Sequence, residues 1–245
     1  MMEFRFVHLF PDLMNLYGSY ANLSILTRLF SALGHTVGII PVCPGETPPL
    51  DDADLVYMGA GTERARTAAL AACLPFSEAL AAAFAGGLPL LFAGTAMELL
   101  GKEIVLSDGE AVPGLALAGF TSTEGKTRLV GDVLGTSPLS AEPVVGYMNK
   151  CTQISGVDSP LLTSLSLGFG NERTGGPEGW HEKNGFGSEL TGPLLMKNPA
   201  LLTAVAEAIL TRGGVPLPDS WPIDPHAAAG HLVTVQELSA RCESR

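Results

Sequence analysis

Short apolar runs alternate with segments of helical periodicity through the first half of the chain. Strands are predicted at residues 3–9, 35–42, 54–58 and 88–93. A helix between the first two presents an apolar face that repeats every three or four residues from Leu23 to Leu33. An Ala-rich helical segment at 63–85 is expected to break near Pro75. This alternation predicts an α/β fold, a mainly parallel sheet flanked by helices.

Beyond Gly101 the pattern changes to short β-like segments separated by Gly, Asp and Ser, at 104–105, 115–120, 127–133, 144–147 and 164–169. They predict an antiparallel extension of the same sheet. A helix is predicted at 199–210, and the Pro-rich remainder contains Thr234-Val235-Gln236-Glu237, a candidate capping box for a short last helix. We therefore predict one domain over 1–212 and a C-terminal extension over 213–245.

Two strand ends carry candidate chemistry. The run Leu88-Pro89-Leu90-Leu91-Phe92-Ala93 leads through Gly94 directly into a helix-forming segment, the order of a nucleophile elbow. The residue at the elbow is Gly94, or Ala93 if the register shifts by one, and neither carries a nucleophile; an ordinary strand–turn–helix unit has the same pattern. Gly59 and Gly61 follow the third strand and permit close approach of a ligand or of a neighbouring loop.

Composition excludes several classes of function. The formal net charge is -11, from 14 basic and 25 acidic residues, and no basic stripe is visible, which argues against nucleic-acid partners. The uninterrupted apolar runs are too short to span a bilayer and the N-terminal segment has no secretory pattern, so we expect no membrane insertion and a cytoplasmic location. The four cysteines lie far apart, which predicts no structural metal and no metal cofactor.

Several motifs in order resemble one family. The first loop reads Phe10-Pro11-Asp12-Leu13-Met14-Asn15-Leu16-Tyr17-Gly18-Ser19-Tyr20-Ala21-Asn22, a G-G-G-x-x-R turn is matched by Gly59-Ala60-Gly61-Thr62-Glu63-Arg64, and Glu178-Gly179, Asn184 and Gly192-Pro193-Leu194-Leu195-Met196-Lys197-Asn198-Pro199 fall in register. Over roughly residues 4 to 212 the chain resembles the class I glutamine amidotransferases of the CobB/CobQ type. Within them it is similar to GatD, the glutaminase subunit of lipid II isoglutaminyl synthase. The resemblance implies a flavodoxin-like fold and no organic cofactor.

The chain departs from this family at the catalytic positions. The family elbow, approximately C-G-G-Y-Q-x-L-G, aligns its nucleophilic Cys with Gly94 and its Gln with Glu98, and the His of its L-H-G-P motif aligns with Thr191. Glutamine hydrolysis needs a thiolate and a neighbouring imidazole, and glycine and threonine supply neither. The resemblance therefore implies a catalytically degenerate member, with no catalytic residue expected.

A relocated nucleophile is the alternative. Cys151 follows a segment that resembles the family's G-F-E-N-H motif, Lys150 beside it is a candidate for lowering the thiol pKa, and His181 is a candidate partner. Thr95 is a second candidate nucleophile. Glu98 is interpreted as part of a solvated helix face. The alternative is that its carboxylate binds an ammonium or amine group. The candidate pocket residues are Asn15, Tyr17, Gly59, Gly61, Thr95, Glu98, Asn149, Lys150 and Cys151.

The resemblance also implies partners. In the family this subunit supplies ammonia to a Mur-ligase-like, ATP-dependent subunit that amidates a cell-wall precursor. We expect this chain to serve as a scaffold or regulatory subunit of such an enzyme, with glutamine or another amino acid as a candidate ligand of the vacated pocket. The competing hypothesis is an active glutaminase or other acyl-transfer enzyme that uses Cys151.

Overall fold

The structure is a computed structural model that describes residues 1–173 and 175–243. Its strands, in chain order, are β1 (Glu3–Leu9), β2 (Thr36–Val42), β3 (Leu55–Met58), β4 (Leu90–Ala93), β5 (Glu103–Val105), β6 (Ala111–Pro113), β7 (Thr121–Ser137), β8 (Ser140–Ser155), β9 (Ser164–Leu167), β10 (Trp180–Glu182), β11 (Gly185–Ser188) and β12 (Leu190–Thr191). Its α-helices are α1 (Ala21–Ala32), α2 (Glu63–Cys73), α3 (Ser77–Ala85), α4 (Leu194–Lys197), α5 (Pro199–Arg212) and α6 (Pro225–Glu243).

The first sheet has six strands in the order β10-β11-β4-β3-β1-β2. Its strands from β11 to β2 are parallel, and only β10 runs antiparallel to its neighbour. Each of its two faces is covered by an apolar cluster, one beneath α2 and α3 and the other beneath α1 and α5. The predicted α/β organisation, with a mainly parallel sheet flanked by helices, is confirmed.

The strands after Gly101 that we predicted as an antiparallel extension form a second sheet, antiparallel except where β5 pairs with β7. Its order is β12-β8-β7-β5-β6, with β9 paired to β7. The hairpin of β7 (17 residues) and β8 (16 residues) is longer than the separate segments that we predicted at 127–133 and 144–147. Most of the segment at 115–120 is irregular, because its backbone bonds to the end of the turn after β4; the Leu115 N–H donates to Leu99 O at 2.8 Å. This sheet supplies one wall of the site described below.

The Ala-rich segment breaks where it was predicted to break. A 3-10 turn, Leu74–Phe76, separates α2 from α3 and carries Pro75. By length and composition alone, Glu63–Ala85 is long and apolar enough to cross a membrane, although charged residues interrupt its apolar runs. In the fold, Leu70, Cys73, Leu80 and Phe84 are buried in the core of the first sheet.

The last helix differs from its prediction. It begins ten residues earlier than expected, with Asp224 rather than Thr234 before it: Asp224 Oδ1 accepts the His226 N–H at 2.8 Å and Pro225 occupies the first helical position. Thr234 is not a cap: it lies within α6, where its hydroxyl donates to Gly230 O at 2.8 Å. Leu238 of this helix packs on the second sheet, against Leu134 and Val145 among others. Residues 244–245 of the predicted extension lie outside the described residues.

Candidate functional site

Gly94 occupies the elbow predicted from the sequence. It follows β4 directly, adopts φ +66°, and begins a buried 3-10 turn, Gly94–Leu100. A Cβ built on Gly94 would lie 2.6 Å from Ala60 Cβ and 3.1 Å from Ala60 Cα. Real Cβ atoms do not approach other carbons so closely. The elbow therefore holds the backbone conformation of a nucleophile's position, but the space for a side chain is filled by Ala60.

The glycines on either side of Ala60 allow a neighbouring loop to pack closely against this turn. The first loop lies against them: the Leu16 N–H donates to Ala60 O at 2.8 Å, and Ser19 Oγ accepts the Ala60 N–H at 3.0 Å. A Cβ on Gly59 would collide with Ser19, and one on Gly61 would collide with the Met14 sulfur. Of the two readings of this turn, the structure supports close packing of loops. Asn15 has a similar role, because its Oδ1 accepts the Tyr20 N–H at 2.8 Å.

A cleft of about 130 Å³ opens beside the elbow. Its floor carries two nearly buried hydroxyl groups, both bonded to backbone. Thr95 Oγ1 accepts the Gly61 N–H at 2.9 Å and donates to Gly61 O at 3.0 Å, and Thr191 Oγ1 donates to Tyr147 O at 2.9 Å. The cleft is lined by Leu16, Tyr17, Ala60, Gly61, Thr62, Glu63, Thr95, Arg128, Asn149 and Thr191. The structure therefore brings together the two positions that the family resemblance aligns with the catalytic Cys and His, with Thr191 lining the cleft and Gly94 adjoining it.

A polar network spans the mouth of the cleft. Asn149 Nδ2 donates to the Tyr17 hydroxyl at 2.9 Å, and Arg128 Nη1 donates to Asn149 Oδ1 at 3.0 Å. Arg128 also forms an ion pair with Glu63, and both side chains remain partly exposed. Sequence reasoning identified Tyr17 and Asn149 but missed Glu63 and Arg128. Those two residues lie 65 positions apart, on α2 and β7, and no local pattern connects them.

Cys151 does not have the surroundings of a nucleophile. Its thiol donates to Glu63 Oε1 at 3.3 Å, and burial, together with this carboxylate, raises the thiol pKa to about 11. Lys150 does not lower that pKa, because its ammonium group points away, toward Gly170 O at 2.7 Å and the Glu189 carboxylate.

The predicted partner of Cys151 lies in another sheet. His181 is on β10 of the first sheet, where its Nδ1 lies 2.9 Å from Gly185 O and its ring stacks on Phe186. Cys151 is on β8 of the second sheet. The structure does not form the displaced Cys/His pair.

The interpretation of Glu98 as part of a solvated face was wrong. Its side chain is 1% exposed and forms an ion pair with Arg66, which is itself fully buried and also pairs with Glu124. Lys150 is equally buried, in an ion pair with Glu189. Glu98 and Lys150 therefore lie behind the cleft and do not line it.

Sequence comparisons with known proteins point to one family. The family model for the CobB/CobQ-like glutamine amidotransferase domain matches residues 5–199. The GatD subunit of the glutamine-hydrolysing lipid II isoglutaminyl synthase of Staphylococcus aureus is 27% identical over 216 residues, 88% of each chain. The Streptococcus pneumoniae subunit of the same name is 28% identical over 204 residues, 81% of this chain and 77% of that one.

Solved structures support the fold alone. A glutamine amidotransferase from Thermotoga maritima superposes with a TM-score of 0.53 at 14% identity, covering 96% of this chain and 94% of that one. A second glutamine amidotransferase structure gives a TM-score of 0.52 at 13% identity, covering 85% and 99%. At this level of identity the agreement concerns the arrangement of strands and helices.

Proposed function

The chain belongs to the CobB/CobQ-like glutamine amidotransferase domain family, and from this premise we propose that it is a GatD-like subunit that has lost glutamine hydrolysis. Its role is then that of a non-catalytic scaffold or regulatory partner for a Mur-ligase-like, ATP-dependent enzyme that amidates a cell-wall precursor in the cytoplasm. The names of its two relatives, each a subunit of a lipid II isoglutaminyl synthase, support this assignment.

The contact between Ala60 and the elbow carries the proposal. Replacement of a nucleophile by glycine would by itself leave a void beside Gly94 into which a substrate group or a water molecule fits. Here a methyl group fills that space, and a Cβ on Gly94 would lie 2.6 Å from it. In the family resemblance the corresponding turn is G-G-G, so Ala60 is a second change that complements the loss at position 94. The two complementary changes, glycine at position 94 and alanine at position 60, support the proposal that the chain has lost glutamine hydrolysis.

The second catalytic position supports the same conclusion. A threonine hydroxyl does not titrate near neutrality, and that of Thr191 donates to Tyr147 O at 2.9 Å. It therefore cannot hold a thiol deprotonated or protonate a leaving ammonia. Removal of a complete nucleophile–base unit lowers turnover on the order of 10⁶-fold in well-studied hydrolases.

Buried side-chain hydrogen bonds hold the fold around these positions. Asn22 on α1 accepts the Leu195 N–H at 2.9 Å, and the Asn198 side chain bonds to both the N–H and the C=O of Val145 at 2.8 Å. These buried bonds fix the segment 192–199 against α1 and β8. A chain that keeps its shape while its catalytic positions are filled is suited to a structural role in a complex.

A second candidate function is binding of an amino acid in the cleft. Arg128 and Glu63 place a cation and a carboxylate at its mouth, and this pair is complementary to the two charges of a zwitterion. Binding is expected to raise the melting temperature with ligand concentration, following the mass-action relation. Thermal shifts with glutamine, glutamate and glycine test this function, with Arg128→Met as the control that should lose the shift.

A relocated nucleophile receives no support from the contacts of Cys151 or Thr95. The raised pKa of the Cys151 thiol, about 11, leaves little thiolate at neutral pH. The Thr95 hydroxyl is bonded to Gly61 through both its donor and its acceptor. The carboxylate that accepts the Cys151 thiol, Glu63, is held in an ion pair with Arg128, and neither Cys151 nor Thr95 is hydrogen-bonded to an imidazole among the described residues.

Reconstitution with the partner tests the scaffold role. The chain is co-expressed with a Mur-ligase-like enzyme, and amidation of the precursor is measured with either ammonium chloride or glutamine as the nitrogen source. We expect a stable complex that amidates with ammonium and not with glutamine. Absence of a complex, or amidation supported by glutamine, would contradict the proposal.

A further inference from the structure

A buried charged cluster lies behind the floor of the cleft. It draws one residue from α2, one from the turn Gly94–Leu100, one from each strand of the β7–β8 hairpin and two from the segment that leads through β11 to β12. Its members are Arg66, Glu98, Glu124, Lys150, Glu178 and Glu189, which we call the inner cluster. Five of the six side chains are at most 2% exposed, and Glu124 is 11% exposed.

Both cations of the inner cluster are paired with its carboxylates, although the Arg66 Nε has no hydrogen-bond partner among the described residues. Arg66 pairs with Glu98 and Glu124. Lys150 pairs with Glu189 and also donates to the carbonyl oxygens of Gly170 and Asn171, at 2.7 and 3.0 Å. No donor of Lys150 is left for Glu178. That carboxyl instead accepts the Glu189 N–H at 2.7 Å and the Ser188 hydroxyl at 3.1 Å.

The carboxyl groups exceed the cations, four to two, in a region closed to water. Moreover, Glu189 Oε1 is buried and has no hydrogen-bond partner among the residues that the structure describes, whereas the Thr152 hydroxyl faces Glu98 and opposes the rise of its pKa. An unpaired buried charge is strongly unfavourable, and so is a buried acceptor without a donor. A proton bound to one carboxyl reduces both costs, because it removes a charge and supplies an O–H donor.

We propose that the inner cluster holds a proton at neutral pH, shared on its Glu178–Glu189 side, and that loss of this proton in mildly alkaline solution weakens the junction between the floor and the wall of the cleft. The junction follows from the positions of the members. Glu98 lies in the turn that carries Thr95, and Glu189 precedes Thr191 by two residues.

The electrostatic surroundings agree with this proposal. Burial raises the pKa of Glu178 to about 7 and that of Glu189 to about 8. For Glu189, the Lys150 ammonium opposes the rise, while the carboxylates of Glu98 and Glu178 add to it. Burial also raises the pKa of Glu98, against the influence of Arg66. The Cys151 thiol is the further titratable group that faces Glu98.

The sign of the effect follows from these directions. A carboxyl whose pKa is raised in the folded state binds more protons there than in the unfolded chain. The stability that such a carboxyl contributes is therefore fully present below pH 4.5 and is lost as the pH rises through 7 and 8. Other groups with shifted pKa values change the stability in other pH ranges. His8, with its pKa lowered to about 4, changes the free energy of unfolding below pH 6.5, and Cys73 and Cys151 change it above about pH 8.5. The interval from pH 6.5 to 8 therefore reports on the inner cluster.

Proton release from the natural chain provides the primary test. The folded protein is unfolded with urea at pH 7.5 in weakly buffered solution, and the released protons are titrated. The account predicts release of about one proton per chain and an unfolding constant that rises by up to about tenfold per pH unit between pH 6.5 and 8. Release of no proton, together with a flat stability profile, would overturn the proposal without any variant.

Matched variants assign the proton to its residues. Glu178→Gln combined with Glu189→Gln should abolish both the proton release and the dependence of the unfolding constant on pH. In the natural chain, hydrogen exchange of the backbone amides at 189–191 should accelerate between pH 6.5 and 8 by more than the intrinsic exchange rate does. The double variant should lose this extra acceleration. Glu182→Gln, a change at an exposed glutamate on β10, should leave both quantities unchanged. If the double variant releases as much as the natural chain, the proton does not belong to the inner cluster. If the double variant does not fold, the natural chain's release and slope decide alone.

Discussion

The steric fit between Gly94 and Ala60 can be tested with the smallest side chain. In Gly94→Ala the new Cβ lies 2.6 Å from Ala60 Cβ, and the backbone remains at φ +66°. The left-handed conformation costs about 1–2 kcal/mol for a residue other than glycine. Overpacking of a rigid core adds about 1–3 kcal/mol. We therefore expect Gly94→Ala to lower the free energy of unfolding by about 2–5 kcal/mol.

Two further variants separate these contributions. Gly214 has nearly the same conformation, φ +65°, but a Cβ built on it meets nothing within 4 Å. Gly214→Ala should therefore show only the conformational cost, about 1–2 kcal/mol. Ala60→Gly removes the colliding methyl, so the double variant Gly94→Ala with Ala60→Gly should show a favourable coupling of about 1–3 kcal/mol.

Urea unfolding of these proteins at pH 6.5 gives all four differences, because the midpoint and the slope together yield the free energy of unfolding. The reasoning is refuted if Gly94→Ala costs no more than Gly214→Ala, or if Ala60→Gly produces no coupling. In that event the space beside the elbow would be open, and the contact with Ala60 would no longer support the proposed loss of catalysis.

Three further predictions concern charges and thiols. Arg66→Met removes the cation that pairs with the buried Glu98 and the partly exposed Glu124, and it should lower the free energy of unfolding by about 3–5 kcal/mol in urea titrations. Arg128→Met at the exposed mouth should cost less than about 1 kcal/mol. Alkylation of Cys151 at pH 8, followed by peptide mass spectrometry, should be slow because the pKa of its thiol is about 11. Glu63→Gln should accelerate the alkylation, because it removes the carboxylate that accepts the thiol. Equal rates in the two proteins would contradict the effect of the Glu63 carboxylate on the thiol pKa. Burial lowers the pKa of His8 to about 4, so the stability that neutral His8 contributes is lost as the pH falls below 6.5. On going from pH 7 to pH 5, the free energy of unfolding of His8→Phe should therefore increase by about 2 kcal/mol relative to that of the natural chain. If the difference between the two proteins is the same at both pH values, this prediction is wrong.

The parallel half of the fold was predictable because each of its elements carries a local signal. The apolar runs of β1 to β4, the periodic face of α1 and the proline between α2 and α3 each specify one element without reference to the rest. The elbow was predictable for the same reason, since a strand, a small residue and a helix are consecutive in sequence. Its positive φ at Gly94 then follows from the tight turn.

The remaining features depend on contacts between distant residues. Glu98 was assigned to solvent because nothing near it in sequence indicates its partner, Arg66, 32 positions earlier. The β7–β8 hairpin forms its own sheet because the two strands pair along most of their length, a pairing that their Gly-rich and polar sequences do not specify. The turn containing Ala60 was recognised, but its collision with position 94 becomes visible only when β3 and β4 lie side by side.

Ammonia release from glutamine measures the activity that this chain is proposed to have lost. The natural chain is assayed alone and with its Mur-ligase-like partner, beside a variant that combines Gly94→Cys, Thr191→His and Ala60→Gly. The account predicts no release above background from the natural chain in either state, and measurable release from the triple variant, since the backbone of the elbow is already in place. Release from the natural chain that is abolished by Cys151→Ala would contradict the account and would establish a relocated nucleophile.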